Sequence, residues 1–286
     1  MGDWLRATRR GARHLGTDLL DAALDRTCPG CGGALERGVA VCDACDAAIP
    51  RSGSTLCLRC LRGDPSGSEA PADAPHRVCP QHGPGRLLLC GPRYAPPLDQ
   101  ILHSFKYEGA WRLAPWLASL LPEPPGHDGP LWREYVIVPV PLHPARLAAR
   151  GFDQCALLAG DVSRRWGIPV VPALARAQDG VPQARRRGAA RRTALHGTFH
   201  LAQPGLVADR AVLLLDDVAT TGSTLLAAAD ALKEARPAWI LSLAAAHGGD
   251  PEGPESGPDV AVAGAGTPVV KSHAWRRGAE RRSPRS

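Results

Sequence analysis

The sequence predicts an α/β protein with a parallel sheet flanked by helices, preceded by a small metal-binding module. Three observations lead there. Short apolar runs alternate with helical periodicities from Tyr94 onward, cysteines recur in C-x2-C pairs between Cys28 and Cys60, and one apolar run ends in two aspartates and a hydroxyl-rich loop. Alternation of short apolar strands with amphipathic helices is the signature of βαβ units.

In chain order, residues 1–27 carry Leu15, Leu19, Leu20, Ala23 and Leu24 at helical spacing, which predicts a helix packed on its own protein. Residues 28–92 are rich in cysteine and turn residues and read as a zinc-ribbon region. An α/β domain is expected over 93–247. Within it, "PLDQILHSFKY" reads as an amphipathic helix, "YVIVPVP" (135–141) as a buried strand and "ALLAGDVSRRW" (156–166) as a helix. "IPVVPAL" (168–174) and "AVLLLDD" (211–217) read as strands, "STLLAAADALKEA" (223–235) as a helix and "AWILSLAAA" (238–246) as a last strand. Residues 248–286 are Gly-, Pro-, Ser- and Arg-rich and predict a disordered basic tail.

The formal net charge of +6 is concentrated in "RRR" (185–187), "RR" (191–192) and the tail. That allows phosphate or nucleic acid as a partner, and a solvated loop equally. With neither a signal-type h-region nor a long apolar span, the chain reads as soluble and cytosolic. In that compartment the nine cysteines point to metal rather than disulfides.

"CPGC" (Cys28, Cys31) is followed by "CDAC" (Cys42, Cys45), two knuckles that place four thiolates around one structural Zn(II). "CLRC" (Cys57, Cys60) and "CPQH" (Cys79, His82) form a second set, in which Cys90 competes with His82 for the fourth position. Cys155, in a helical segment, reads as a small buried residue.

The stretch "VLLLDDVATTGST" (212–224) places two carboxylates at the C-terminal end of a buried strand, where open α/β sheets bind ligands. Thr220, Thr221, Ser223 and Thr224 supply hydroxyls around Gly222, which allows close backbone approach, and a helix begins there. Such a loop is an anion cradle suited to a phosphate monoester. Carboxylates beside it call for a partner with hydroxyls or a metal, as a ribose 5-phosphate has.

This segment resembles the 5-phosphoribosyl-1-pyrophosphate (PRPP) signature of type I phosphoribosyltransferases. With "YAPPLDQILHSFKYEG", "VPVPLHPARLAARGFDQ" and the cysteine knuckles, the chain is similar to the ComF family, competence-associated phosphoribosyltransferase-like proteins with an N-terminal zinc ribbon. The similarity runs from about Cys28 to Ala246. It implies that Asp216 and Asp217 meet the ribose hydroxyls and Thr220, Thr221, Gly222, Ser223 and Thr224 the 5-phosphate. Pro139, Val140, Pro141 and Leu142 match the turn that meets pyrophosphate. Residues 176–199 take the place of the mobile catalytic loop, with Arg176, Gln183 and Arg191 matching family positions. Asp153 and Ala194 stand where the family usually has Asn. Lys106 either reaches pyrophosphate or flanks its helix. The resemblance further implies Mg(II) bound with PRPP, and a link to DNA uptake with single-stranded DNA and a competence helicase as partners. Three functions follow: a PRPP-dependent transferase, a PRPP sensor without turnover, and a single-stranded-DNA-handling accessory.

Overall fold

The computed structural model describes residues 27–51, 53–61, 87–124, 134–176 and 198–248. The helix expected before Thr27, the basic tail, and Cys79, His82, Gln183, Arg191 and Ala194 lie outside them.

The elements run α1 (Asp43–Ala47), β1 (Ser54–Cys57), β2 (Leu87–Cys90), α2 (Leu98–Tyr107), α3 (Ala114–Ser119), β3 (Tyr135–Pro139), α4 (Pro144–Arg150) and α5 (Gln154–Trp166). They continue through β4 (Leu174–Arg176), β5 (Phe199–Leu201), β6 (Ala211–Ala219), α6 (Ser223–Leu232) and β7 (Trp239–His247). Among the described residues, the main sheet has five strands in the order β1-β2-β7-β6-β3. Strands β2, β7, β6 and β3 are mutually parallel, and β1 closes one edge antiparallel to β2.

Strand β6 is buried along nearly its whole length, as its apolar run requires of a central parallel strand. Its alternate residues feed two cores. Leu213 and Leu215 join Ile137, Leu243 and the apolar faces of α2, α3 and α5, whereas Val212 and Leu214 join Val136, Val138 and α6. Helix α2 earns its place through Leu98, Ile101, Leu102 and Phe105, all buried at helical spacing. Helix α5 starts at an Asp153 cap and stops at Gly167, whose φ of 69° suits a left-handed C-terminus.

Strands β1 and β2, both from the cysteine-rich stretch, belong to the main sheet. "LLLC" is a fully apolar run that pairs with β7, and its Leu88 and Cys90 are buried in the second core. The strand expected over 168–174 is reduced to a single parallel bridge, Ile137 to Val170. Pro169 and Pro172 lack the N–H that a longer ladder needs. The chain instead pairs Leu174–Arg176 with Phe199–Leu201 as a separate two-stranded antiparallel sheet. Among the described residues, no helix is long and apolar enough to cross a membrane.

Candidate phosphoribosyl site and metal centre

The four thiols of Cys28, Cys31, Cys42 and Cys45 lie within 4.8 Å of one another. Cys31 Sγ and Cys42 Sγ are 3.6 Å apart, close to the roughly 3.8 Å edge of a tetrahedron with metal–sulfur bonds near 2.3 Å. The cysteines are not in disulfides. Gly30 is required in "CPGC" because a Cβ there would lie 2.9 Å from Cys45 Sγ. Burial opposes ionisation of Cys28, yet the backbone amides of Cys42, Gly30 and Cys31 win and lower its thiol to about 7. Burial raises Cys45 instead. Four soft sulfurs in one shell make a site that can hold a metal ion. The module is anchored to the main fold: Cys28, Val41, Cys45 and Ile49 share the first core, and Trp116 Nε1 donates to Asp46 Oδ1 at 2.5 Å.

The second cysteine set is described only at Cys57 and Cys60. Cys57 pairs with Leu87 and Cys90 with Ser54, at opposite ends of the β1–β2 ladder. Three residue steps of strand are about 10 Å, so Cys90 is too far from Cys57 for the two to ligate one ion. Burial pushes the Cys90 thiol up to about 12, and it donates to Ser54 O at 3.5 Å. It is a strand residue of the main sheet.

At the C-terminal end of β6, Asp216 and Asp217 are 9% and 4% exposed. Lys106 Nζ, from the end of α2, lies 2.9 Å from Asp217 Oδ1. Burial favours the neutral amine, but Asp217 and then Asp216 outweigh it and raise the Lys106 pKa. Asp216 Oδ1 accepts from the Asp217 amide at 2.9 Å and from the Cys155 thiol at 3.4 Å. Burial first, then the charge of Asp217, raises the Asp216 carboxyl to about 7, with Lys106 opposing. Asp217 Oδ2 is buried with no hydrogen-bond partner.

A concave pocket is lined by Asp216 and residues 218–225, so the carboxylate and the hydroxyl loop face one space. Thr221 Oγ1 lies 2.8 Å from Ser223 Oγ and accepts from the Ser223 amide at 3.4 Å. Gly222 has φ of 68°. A Cβ there would meet Leu58 O at 2.2 Å, so the close approach this glycine permits is to the turn between Cys57 and Cys60. That turn forms one wall of the loop.

The other predicted residues fall around this centre. Pro139 ends β3, and residues 140–143 form the turn into α4. Asp153, the departure from the usual Asn, serves the backbone: Oδ1 accepts from the Ala156 amide at 3.0 Å and Oδ2 from the Leu142 amide at 3.1 Å. Its two acceptors thus cap α5 and pin the turn, although burial still raises its pKa. Arg176 lies at the end of β4 with its guanidinium 5.2 Å from the Phe199 ring centre.

Sequence reasoning missed three partners. Asp153 was legible as a helix cap, being an aspartate just before an apolar helical stretch. Cys155 as a donor to Asp216, and Leu58 against Gly222, join segments far apart in the chain and left no local signal.

Comparison with known proteins extends this geometry. A phosphoribosyl transferase domain model matches residues 153–268. The DNA utilization protein YhgH of Escherichia coli K12 is 31% identical over 196 residues, covering 65% of this chain and 80% of that protein. The chain belongs to the ComF family of phosphoribosyltransferase-like proteins. Competence protein ComFC of Streptococcus pneumoniae is 25% identical over 68% of this chain and 82% of its own length. Competence protein F of Haemophilus influenzae is 32% identical over 49% of this chain and 63% of its own. The family's α/β fold and its N-terminal cysteine cluster are both present here.

Proposed function

We propose that this ComF-family chain binds PRPP at the C-terminal end of β6. The observation that carries this reading is the pocket shared by Asp216 and residues 218–225. The 5-phosphate occupies the loop Thr220–Thr224, where amides at the start of α6 and the hydroxyls donate. The ribose hydroxyls donate to the acidic pair, and Asp217 Oδ2, orphaned in the unliganded protein, gains a partner. Lys106 balances the acidic pair and holds Asp217 in place. The turn 139–142 and Lys106 flank the diphosphate, with Arg176 at the start of the catalytic-loop segment.

Cysteines 28, 31, 42 and 45 suit structural zinc, as does a second site of Cys57, Cys60, Cys79 and His82. The donors at the acidic pair do not suit Mg(II). A thiol sits on Asp216, and a lysine ammonium takes the place of a cation on Asp217. Mg(II) would therefore enter as a counter-ion of the diphosphate.

Transfer would break the ribose C1–O bond, release diphosphate and join C1 to an acceptor nucleophile. The chain's residues would bind and orient the phosphoribosyl group and exclude water from C1. A second reading, handling of single-stranded DNA during uptake with a helicase partner in the cytosol, is favoured by relatives named for DNA utilization and competence.

Calorimetry tests the first reading. PRPP binds the wild type, and the Asp216→Asn/Asp217→Asn double variant loses most of that affinity; equal affinity sinks the reading. Diphosphate release that depends on an added base, amine or single strand identifies a transferase. Tight PRPP binding without release identifies a sensor. Single-stranded DNA binding that falls steeply with salt supports the second reading, and its absence removes it.

A further inference from the structure

Arg150 ends α4, the helix that follows the turn 139–142. Its guanidinium carbon lies 5.1 Å from the ring centre of Tyr107. Tyr107 is 68% exposed and follows Lys106, whose ammonium rests on Asp217. On the other side of Arg150, Gly151 turns the chain at φ of 83°, Phe152 packs on Phe105 with ring centres 5.9 Å apart, and Asp153 holds the Leu142 amide. The arginine is therefore fixed at both flanks, between the turn and the end of α2.

Its electrostatics are incomplete. Arg150 Nη1 is buried without a hydrogen-bond partner, and no ion pair to Arg150 is found among the described residues. A buried, unpaired cationic donor is costly, and an anionic acceptor removes that cost. Lys106 cannot serve as the main anion receptor because Asp217 already engages it.

We propose that Arg150, lying over the Tyr107 ring, is the cation that receives the diphosphate of the phosphoribosyl ligand. The proposal rests on the PRPP reading above and assigns the diphosphate end of that ligand to a residue outside the signature loop. Arg150 supplies paired N–H donors, Tyr107 holds the guanidinium plane, and Asp153 sets the turn beside it.

Calorimetry at constant Mg(II) with PRPP, ribose 5-phosphate and inorganic diphosphate separates the outcomes, with thermal unfolding confirming that each variant folds. Arg150→Gln is expected to weaken PRPP and diphosphate binding by about tenfold or more and to leave ribose 5-phosphate within about twofold. Arg150→Lys recovers part of the loss, because charge returns without the paired fork. Tyr107→Leu gives a smaller loss, again confined to the two diphosphate-bearing ligands. Wild-type PRPP affinity in Arg150→Gln, or an equal loss of PRPP and ribose 5-phosphate, overturns the assignment while the PRPP reading stands. If wild-type protein binds neither sugar phosphate, that reading fails. Diphosphate binding that needs Arg150 then preserves the anion site, and binding that does not removes it.

Discussion

Among the described residues, two clusters bring three or more cysteine or acidic side chains within 4.8 Å of one another: the thiols of Cys28, Cys31, Cys42 and Cys45, and the acidic centre of Cys155, Asp216 and Asp217. They meet the resulting electrostatic demand differently. The thiol cluster gathers four soft ligands into one shell that can hold a metal ion. The acidic centre carries its own cation, Lys106, brought in by α2. The first cluster can be completed by a metal ion, whereas the second is balanced by a side chain and keeps Asp217 Oδ2 without a partner.

The largest expected effect breaks the first cluster. Structural zinc typically supplies on the order of 10 kcal/mol to a small module. Metal analysis of the protein purified without added zinc is expected to find at least one equivalent, and Cys31→Ala/Cys42→Ala to remove one. That variant, or chelation of the wild type, is expected to lower the thermal midpoint and expose residues 28–51 to hydrogen exchange before the sheet core.

Removing the internal cation comes next. Lys106→Met leaves a buried carboxylate unpaired, a change that costs about 3–5 kcal/mol. Urea unfolding should show that loss, and adding Asp217→Leu should restore much of it. If the single variant is as stable as wild type, the acidic centre does not depend on its lysine.

Titration sharpens the same contrast. The Asp216 carboxyl is raised to about 7 in the folded protein, above its unfolded value near 3.9. Between these values the folded state holds more protons than the unfolded one, so its contribution to stability falls as pH rises from about 4 to about 7 and is level above that. Asp216→Asn should flatten this part of the urea-midpoint profile.

Gly222→Ala probes the wall shared by the cysteine turn and the hydroxyl loop. The new Cβ would meet Leu58 O at 2.2 Å at a left-handed φ, a combination expected to cost about 1–3 kcal/mol. Ribose 5-phosphate affinity should fall with it, whereas Ser223→Ala should reduce affinity with little loss of stability. The smallest effect is expected for Asp153→Asn, which leaves one carbonyl for two amide donors and costs about 1 kcal/mol in urea.

The contrast between the clusters also divides what could be read in advance. The paired C-x2-C spacing and the run 212–224 are local patterns with stringent chemical requirements, so the residues of both clusters were legible in advance. Strands β3, β6 and β7 and helices α2, α5 and α6 were legible for the same reason, since one face or a whole run must be apolar. The β4–β5 pair was hidden because prolines at 169 and 172 stop an otherwise convincing strand.

The sequence by itself determined the periodicities, the four-thiol set, the acidic pair and the hydroxyl loop, because each is written in residues close together along the chain. Tertiary structure decided that "LLLC" joins the main sheet, that Lys106 rather than solvent faces Asp217, and that Leu58 packs against Gly222. It also decided that Asp153 serves two backbone amides and that Arg150 lies over Tyr107. These contacts depend on sheet order and on how helices pack across it, and the periodicity of a single segment does not specify them.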